Sequence, residues 1–152
     1  MNVTQIPIGA KFAILHRAFR REMDTALRAH DLTGAQFGAL RALDRLERER
    51  RGEISQRDLE ELCRSAHPTM TEILKKLEKK GFITVGQSAT DGRRKAIRQT
   101  EKARELDREM FRVDEKTFEK FGAGLDAGQT AALGRALDLL LENICGGKED
   151  EG

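Results

Sequence analysis

Apolar residues recur at steps of three or four along most of the chain, and that helical period breaks once, between residues 82 and 98. A chain patterned this way folds as a set of amphipathic helices around one small β element. The first stripe is Ile8, Phe12, Leu15, Phe19, Met23 and Leu27, with Lys11, Arg17, Arg20, Arg21 and Arg28 on the polar side. His30-Asp31 ends it. Three valines against seventeen leucines agree with helix over sheet.

Capping signals divide the rest. Thr33 with Gln36 fits a capping box, and Leu32 and Phe37 stand at hydrophobic-staple spacing. A second helix follows through Phe37, Leu40, Leu43 and Leu46, and the mixed charges Glu47 to Arg51 are expected to be a solvated helix end. Ser55 with Asp58 opens a short third helix bearing Leu59, Leu62 and Cys63. After about three linking residues, Met70, Ile73, Leu74 and Leu77 mark a fourth helix that stops at Gly81. Phe82–Val85 and Lys95–Arg98 read as strands of a hairpin with a long basic tip. Thr100 caps a fifth helix carrying Leu106, Met110 and Val113. Asp126 with Gln129 starts a sixth, carrying Leu133, Leu137, Leu140, Leu141 and Ile144.

With 152 residues, the chain is about one domain long. The expected fold class is mainly α with a small β-hairpin wing. Several functions are excluded by what the chain lacks. It has no Trp and no Tyr, so aromatic stacking of single strands is disfavoured. Two cysteines, Cys63 and Cys145, make neither a disulfide framework nor a zinc site. His16, His30 and His67 lack ligand spacing, so no metal is expected. No Gly-rich phosphate loop or nucleophile–base pair is visible, so neither an enzyme nor a cofactor is expected. No apolar run spans a membrane and no signal peptide is apparent, which makes the cytoplasm the expected compartment.

Short helix, tight connection, second helix and basic hairpin make a helix-turn-helix with a wing. The fourth helix has an apolar side to dock and a polar side for the major groove of double-stranded DNA. The candidate contacts there are His67, Pro68, Thr69, Thr71, Glu72, Lys75 and Lys76. Residues of the first turn suit base edges, and the lysines suit phosphates. His67 is expected either to touch a base or phosphate or to act as a local cap. On the hairpin tip the candidates are Asp91, Arg93, Arg94 and Lys95. An arginine there suits a minor groove, and Asp91 is placed to pin one guanidinium bidentately. The formal charge of +2 hides a local excess: residues 53–104 carry twelve basic and eight acidic side chains.

The ordered set Leu32-Thr33-x-x-Gln36-Phe37, Ile54-Ser55-Gln56-x-x-Leu59, Pro68-Thr69-Met70-Thr71, Leu77-Glu78-Lys79-Lys80-Gly81-Phe82-Ile83, Asp91-Gly92-Arg93-Arg94-Lys95 and Thr100-Glu101-Lys102 resembles the MarR family of bacterial winged helix-turn-helix transcription regulators. The resemblance runs from about Phe12 to Ile144. It implies one MarR-like domain over 1–152, with a winged lobe at 33–100, dimerisation helices at 5–30 and 101–146, and a flexible tail at 147–152. It also implies a homodimer on a palindromic operator, with Arg93 in the minor groove and Asp91 supporting it. A repressor released by a small aromatic or phenolic effector, held in a cleft between the dimer helices and the DNA-binding lobe, fits that family. Pro68 and Glu72 depart from its usual Ser and Arg, so no operator sequence carries over. Gln99 replaces the usual Leu, a change expected to alter packing.

Independently of the family, the stripes on helices one, five and six exceed what a winged lobe needs for its own core, which favours a second copy of the chain. Effector-pocket residues are expected from helices one, two and five. Cys63 is expected to be buried and Cys145 an incidental thiol near a helix end, with oxidation sensing by either left open. The rival reading is a winged-helix protein-interaction module without DNA binding, against which the wing arginines argue.

Overall fold

A computed structural model describes residues 2–50 and 52–146. After a 3-10 turn at Val3–Gln5, helices α1 (Ile8–Arg28), α2 (Gly34–Glu49), α3 (Gln56–Cys63) and α4 (His67–Lys79) precede a hairpin of β1 (Ile83–Gln87) and β2 (Lys95–Gln99). Helices α5 (Glu101–Phe121) and α6 (Ala127–Cys145) follow. The mainly helical class with one hairpin is as the periodicity indicates. Arg51 and the tail at 147–152 lie outside the described residues.

Local chemistry sets the boundaries. Thr33, Ser55 and Asp126 each cap a helix in a reciprocal capping box, with Gln36, Asp58 and Gln129 at the third position. The α1–α2 turn closes on Asp31 at φ 54°, and the amide of Leu32 reaches the carbonyl of Leu27 at 3.1 Å. Gly81 takes φ 81° after α4, where a side chain would be strained. The amide of Phe82 then reaches the carbonyl of Leu77 at 3.0 Å. Phe82 therefore closes the helix instead of starting the strand, and β1 begins one residue later than its sequence pattern indicates. Its ring is buried.

The chain separates into two compact units, residues 1–115 and 116–152. In the first, Leu27, Leu40, Leu43, Leu59, Met70, Leu74, Leu77, Phe82 and Ile97 share one core with Ala103, Leu106 and Met110 of α5. The hairpin pairs Ile83 with Gln99 through Gln87 with Lys95 in antiparallel register. Ile54 adds a bridge to Ile97, its carbonyl accepting from the Ile97 amide at 2.8 Å. This bridge ties the segment before α3 to the wing. Ile8, Phe12, Ile14 and Leu15 on α1 remain exposed.

In the second unit, α6 exposes all its described residues, including Leu133, Leu137, Leu139, Leu140, Leu141 and Ile144. No helix among the described residues is long and apolar enough to cross a membrane.

Two expectations need correction. Cys63 is exposed, not buried. Leu59, fully buried, takes the core position, and Cys63 is the last residue of α3 before Arg64 turns left-handed at φ 49°. Desolvation still raises the Cys63 pKa, which works against thiolate reactivity. Glu47, in the charge run read as solvated, is partly buried and accepts from the Gln99 amide and side chain, each at 2.9 Å. Gln99 itself is buried and also donates to Asp44 at 3.2 Å. A polar residue at this position of the wing strand therefore binds it to α2.

Candidate nucleic-acid interface

Helices α3 and α4 are joined by residues 64–66, a connection short enough to fix their crossing. Met70, Leu74 and Leu77 are buried and seat α4 on the core. His67, Pro68, Thr69, Glu72, Lys75 and Lys76 are exposed. Pro68 sits in the first turn, where its missing N–H costs no helical bond. Glu72 and Lys75 lie 3.8 Å apart on the exposed side, an arrangement that partly neutralises that lysine. Thr71 is only partly exposed, and its hydroxyl donates to the carbonyl of His67 at 2.9 Å. Nδ1 of His67 lies 2.5 Å from a carboxylate oxygen of Glu60. The imidazole is thus tied to α3 by one nitrogen while the ring stays exposed.

The wing tip is organised by residues that sequence reasoning passed over. Glu53 accepts from the Ser88 hydroxyl and from the Ala89 amide, the latter at 2.6 Å. Those two bonds outweigh desolvation and hold the Glu53 pKa below the ordinary carboxylate value. The Ser88 oxygen in turn accepts from the amides of Thr90 and Asp91 at 3.2 and 3.0 Å. Acid, hydroxyl and turn amides thus form one chain of bonds from the base of the hairpin into its tip. Glu53 was not legible because nothing in its spacing marks a partner 35 residues away.

Asp91 behaves differently from its expected role. One of its oxygens accepts from the backbone amide of Arg93 at 3.0 Å, and the other lies 3.7 Å from Nε of Arg94. No bidentate clamp on a guanidinium forms. Asp91 shapes the turn instead, and Arg93 makes no ion pair among the described residues. Arg93, Arg94 and Lys95 are all exposed. A depression of about 430 Å³ separates the wing from α3 and α4, with Thr71 and Lys75 on one side and Arg93 to Lys95 on the other.

A larger groove, of about 1180 Å³, runs between α2, the α3–α4 connection, the start of α4 and Asp107 and Phe111 of α5. Of the helices expected to supply an effector pocket, α2 and α5 line this groove, together with the α3–α4 connection and the start of α4. Arg41, Arg45 and Arg48 line it, each paired with an acid: Asp107 at 3.0 Å, Glu49 at 2.8 Å and Asp44 at 2.8 Å. No group of His, Cys, Asp and Glu that could hold a metal occurs among the described residues.

Residues 30–94 match the family model described as MarR family. The fold is similar to that of MepR, a transcription regulator of the Staphylococcus aureus multidrug efflux pump MepA. The TM-score is 0.73 at 19% identity, covering 91% of this chain and 99% of that one. It is also similar to the reduced form of MarR from E. coli, with TM-score 0.73 at 20% identity over 90% of this chain and 97% of that one. A MarR transcriptional regulator from Methanosarcina mazei Go1 aligns with TM-score 0.68 at 22% identity, over 90% and 88% of the two chains. The matched segment holds α2, the helix-turn-helix and most of the wing, and the fold agrees over nine-tenths of the length: residues 30–94 carry the sequence pattern of the MarR family, and the chain has the fold of these regulators.

Proposed function

We propose that the protein is a dimeric, sequence-specific DNA-binding transcription regulator, a repressor released by a small effector. One observation carries this reading. In a single compact unit, α4 docks by its apolar side and exposes its polar side, beside a wing whose Arg93, Arg94 and Lys95 stand free of the core. Side chains at the first turn of α4 would meet base edges, Lys75 and Lys76 would meet phosphates, and Arg93 would enter the minor groove.

The dimer is supported by apolar side chains left in water on α1 and on α6. A second copy is the economical cover for them. The effector reading is supported by the groove beneath α2, where the exposed ring of Phe111 stands with three arginines. An aromatic carboxylate or phenolate would find both a ring contact and a charge there.

The test is selection of duplexes from a random pool, followed by titration of the selected sequence between roughly 50 and 200 mM salt. A selected palindrome whose affinity falls steeply with salt is expected. Failure to select any sequence, with no salt-sensitive binding, would leave the fold as a protein-interaction module.

A further inference from the structure

Four side chains from two helices form a closed hydrogen-bond cluster at the start of α4. Oε1 of Glu60 lies 2.5 Å from Nδ1 of His67. One turn earlier on α3, Nε2 of Gln56 donates to the same Glu60 oxygen at 2.8 Å and to Oγ1 of Thr71 at 2.8 Å. Thr71 passes its own hydrogen to the His67 carbonyl at 2.9 Å. The Glu60 side chain is only 17% exposed, whereas that of His67 is 73% exposed.

The hydrogens in this cluster can be assigned by counting. Gln56 spends its two amide hydrogens on Glu60 and Thr71. Turning that amide over would set two hydrogen-free oxygens, its own and that of Glu60, against each other. An ionised carboxylate has no hydrogen to give, so the short contact between Glu60 and His67 requires the proton on Nδ1. Gln56 also lies 3.2 Å from Nδ1, but it has no hydrogen left for it. In the neutral ring, Nε2 then carries a lone pair and no hydrogen. That atom belongs to the exposed ring at the turn of α4 where base edges are met.

We propose that Glu60 and Gln56 are positioning residues that lock His67 in its Nδ1–H tautomer, so that Nε2 accepts a hydrogen bond from the amino group of an adenine or cytosine in the major groove. The proposal rests on the DNA-binding reading above. Its chemistry is selective. A bare lone pair is repelled by phosphate oxygens and by the acceptor atoms of guanine, and it attracts the exocyclic amines of adenine and cytosine. His67 therefore specifies sequence and does not anchor the backbone.

Two measurements test it. The first is nitrogen NMR of the histidine rings in the intact protein at pH 8, with the His67 signals assigned by their loss in His67→Ala. The proton is expected on Nδ1 in the wild type and shared between both nitrogens in Glu60→Gln. A wild-type ring protonated on Nε2 overturns the proposal without touching the DNA-binding reading.

The second uses the selected duplex, with each adenine replaced in turn by purine and each cytosine by 2-pyrimidinone, so that only the amino group is lost. One position in each half-site should cost the wild type about tenfold in affinity. The same replacement should cost His67→Ala nothing and Glu60→Gln only a few-fold. Equal costs in wild type and His67→Ala at every position overturn the contact. A Glu60→Gln protein that melts like wild type yet keeps the full tenfold loss overturns the positioning role. Gln56→Leu serves the same comparison if Glu60→Gln does not fold. If the wild type selects no sequence at all, the DNA-binding reading itself fails.

Discussion

The carboxylate of Glu53 accepts the backbone amide of Ala89 at 2.6 Å, joining the segment before α3 to the tip of the wing. Glu53 also holds the Ser88 hydroxyl, whose oxygen gathers the amides of Thr90 and Asp91. A two-stranded hairpin is marginal alone, so the orientation of its tip depends on such ties. Glu53→Gln keeps the shape of the side chain but removes the charge that strengthens both bonds. The expected result is faster hydrogen exchange at Ala89 and several-fold weaker DNA binding, with no change in oligomeric state. Unchanged exchange at Ala89 would show that the wing holds itself.

Arg93 and Arg94 are neighbours with different surroundings, and the difference is testable. Arg94 shares the carboxylate of Asp91 at 3.7 Å, whereas Arg93 has no ion pair among the described residues. Arg93→Ala should weaken DNA binding more than Arg94→Ala and leave the oligomeric state unchanged by sedimentation. Asp91→Asn should reduce affinity less than either, because the amide oxygen still accepts from the Arg93 backbone N–H. If each arginine meets a phosphate, each loss should lower the slope of log affinity against log salt by about 0.9. A slope unchanged in Arg93→Ala, with affinity also unchanged, would remove it from the interface.

Much of this architecture was legible because its signals are local. Thr33 with Gln36, Ser55 with Asp58 and Asp126 with Gln129 each lie within one helical turn, and all three form capping boxes. The docking side of α4 followed from period alone. What escaped were bonds across long separations. Glu53 finds Ser88, Glu47 finds Gln99, and Glu60 finds His67 only once the helices are placed. Cys63 misled because a helical stripe shows which side a residue is on, but not that α3 ends there. The share of the groove wall made by the α3–α4 connection escaped for the same reason: it depends on where that connection passes beside α2.

Gln99 offers a measure of how tightly the wing strand is joined to α2. Its side chain is buried and gives both hydrogens to acids, Glu47 at 2.9 Å and Asp44 at 3.2 Å. Gln99→Ala removes those bonds and leaves a gap, so a loss of about 1–3 kcal/mol in urea unfolding is expected. Gln99→Leu refills the volume, and both acids retain some access to water, so its cost should be smaller. Equal losses in the two variants would show that the hydrogen bonds, not the packing, hold the strand.

Asp58 gives the fold a defined acid response. Burial opposes its ionisation, but hydrogen bonds from the Ser55 amide at 2.8 Å, from Arg50 at 2.7 Å and from the Ser55 hydroxyl at 2.9 Å together outweigh it. The folded-state pKa therefore lies below the ordinary value of 3.8, and the unfolded chain takes up the proton first as pH falls. The stabilisation is complete well above that value and is lost as pH drops through the lower, folded one. Asp58→Asn cannot titrate, so its stability should fall less steeply than that of the wild type in this acid range. At neutral pH the variant should already be weaker, because it loses the Arg50 ion pair and part of the α3 cap. Denaturant unfolding of both proteins at a series of pH values checks this. Parallel curves would assign the acid response to the other carboxylates with lowered pKa values, Glu53, Glu60 and Glu101.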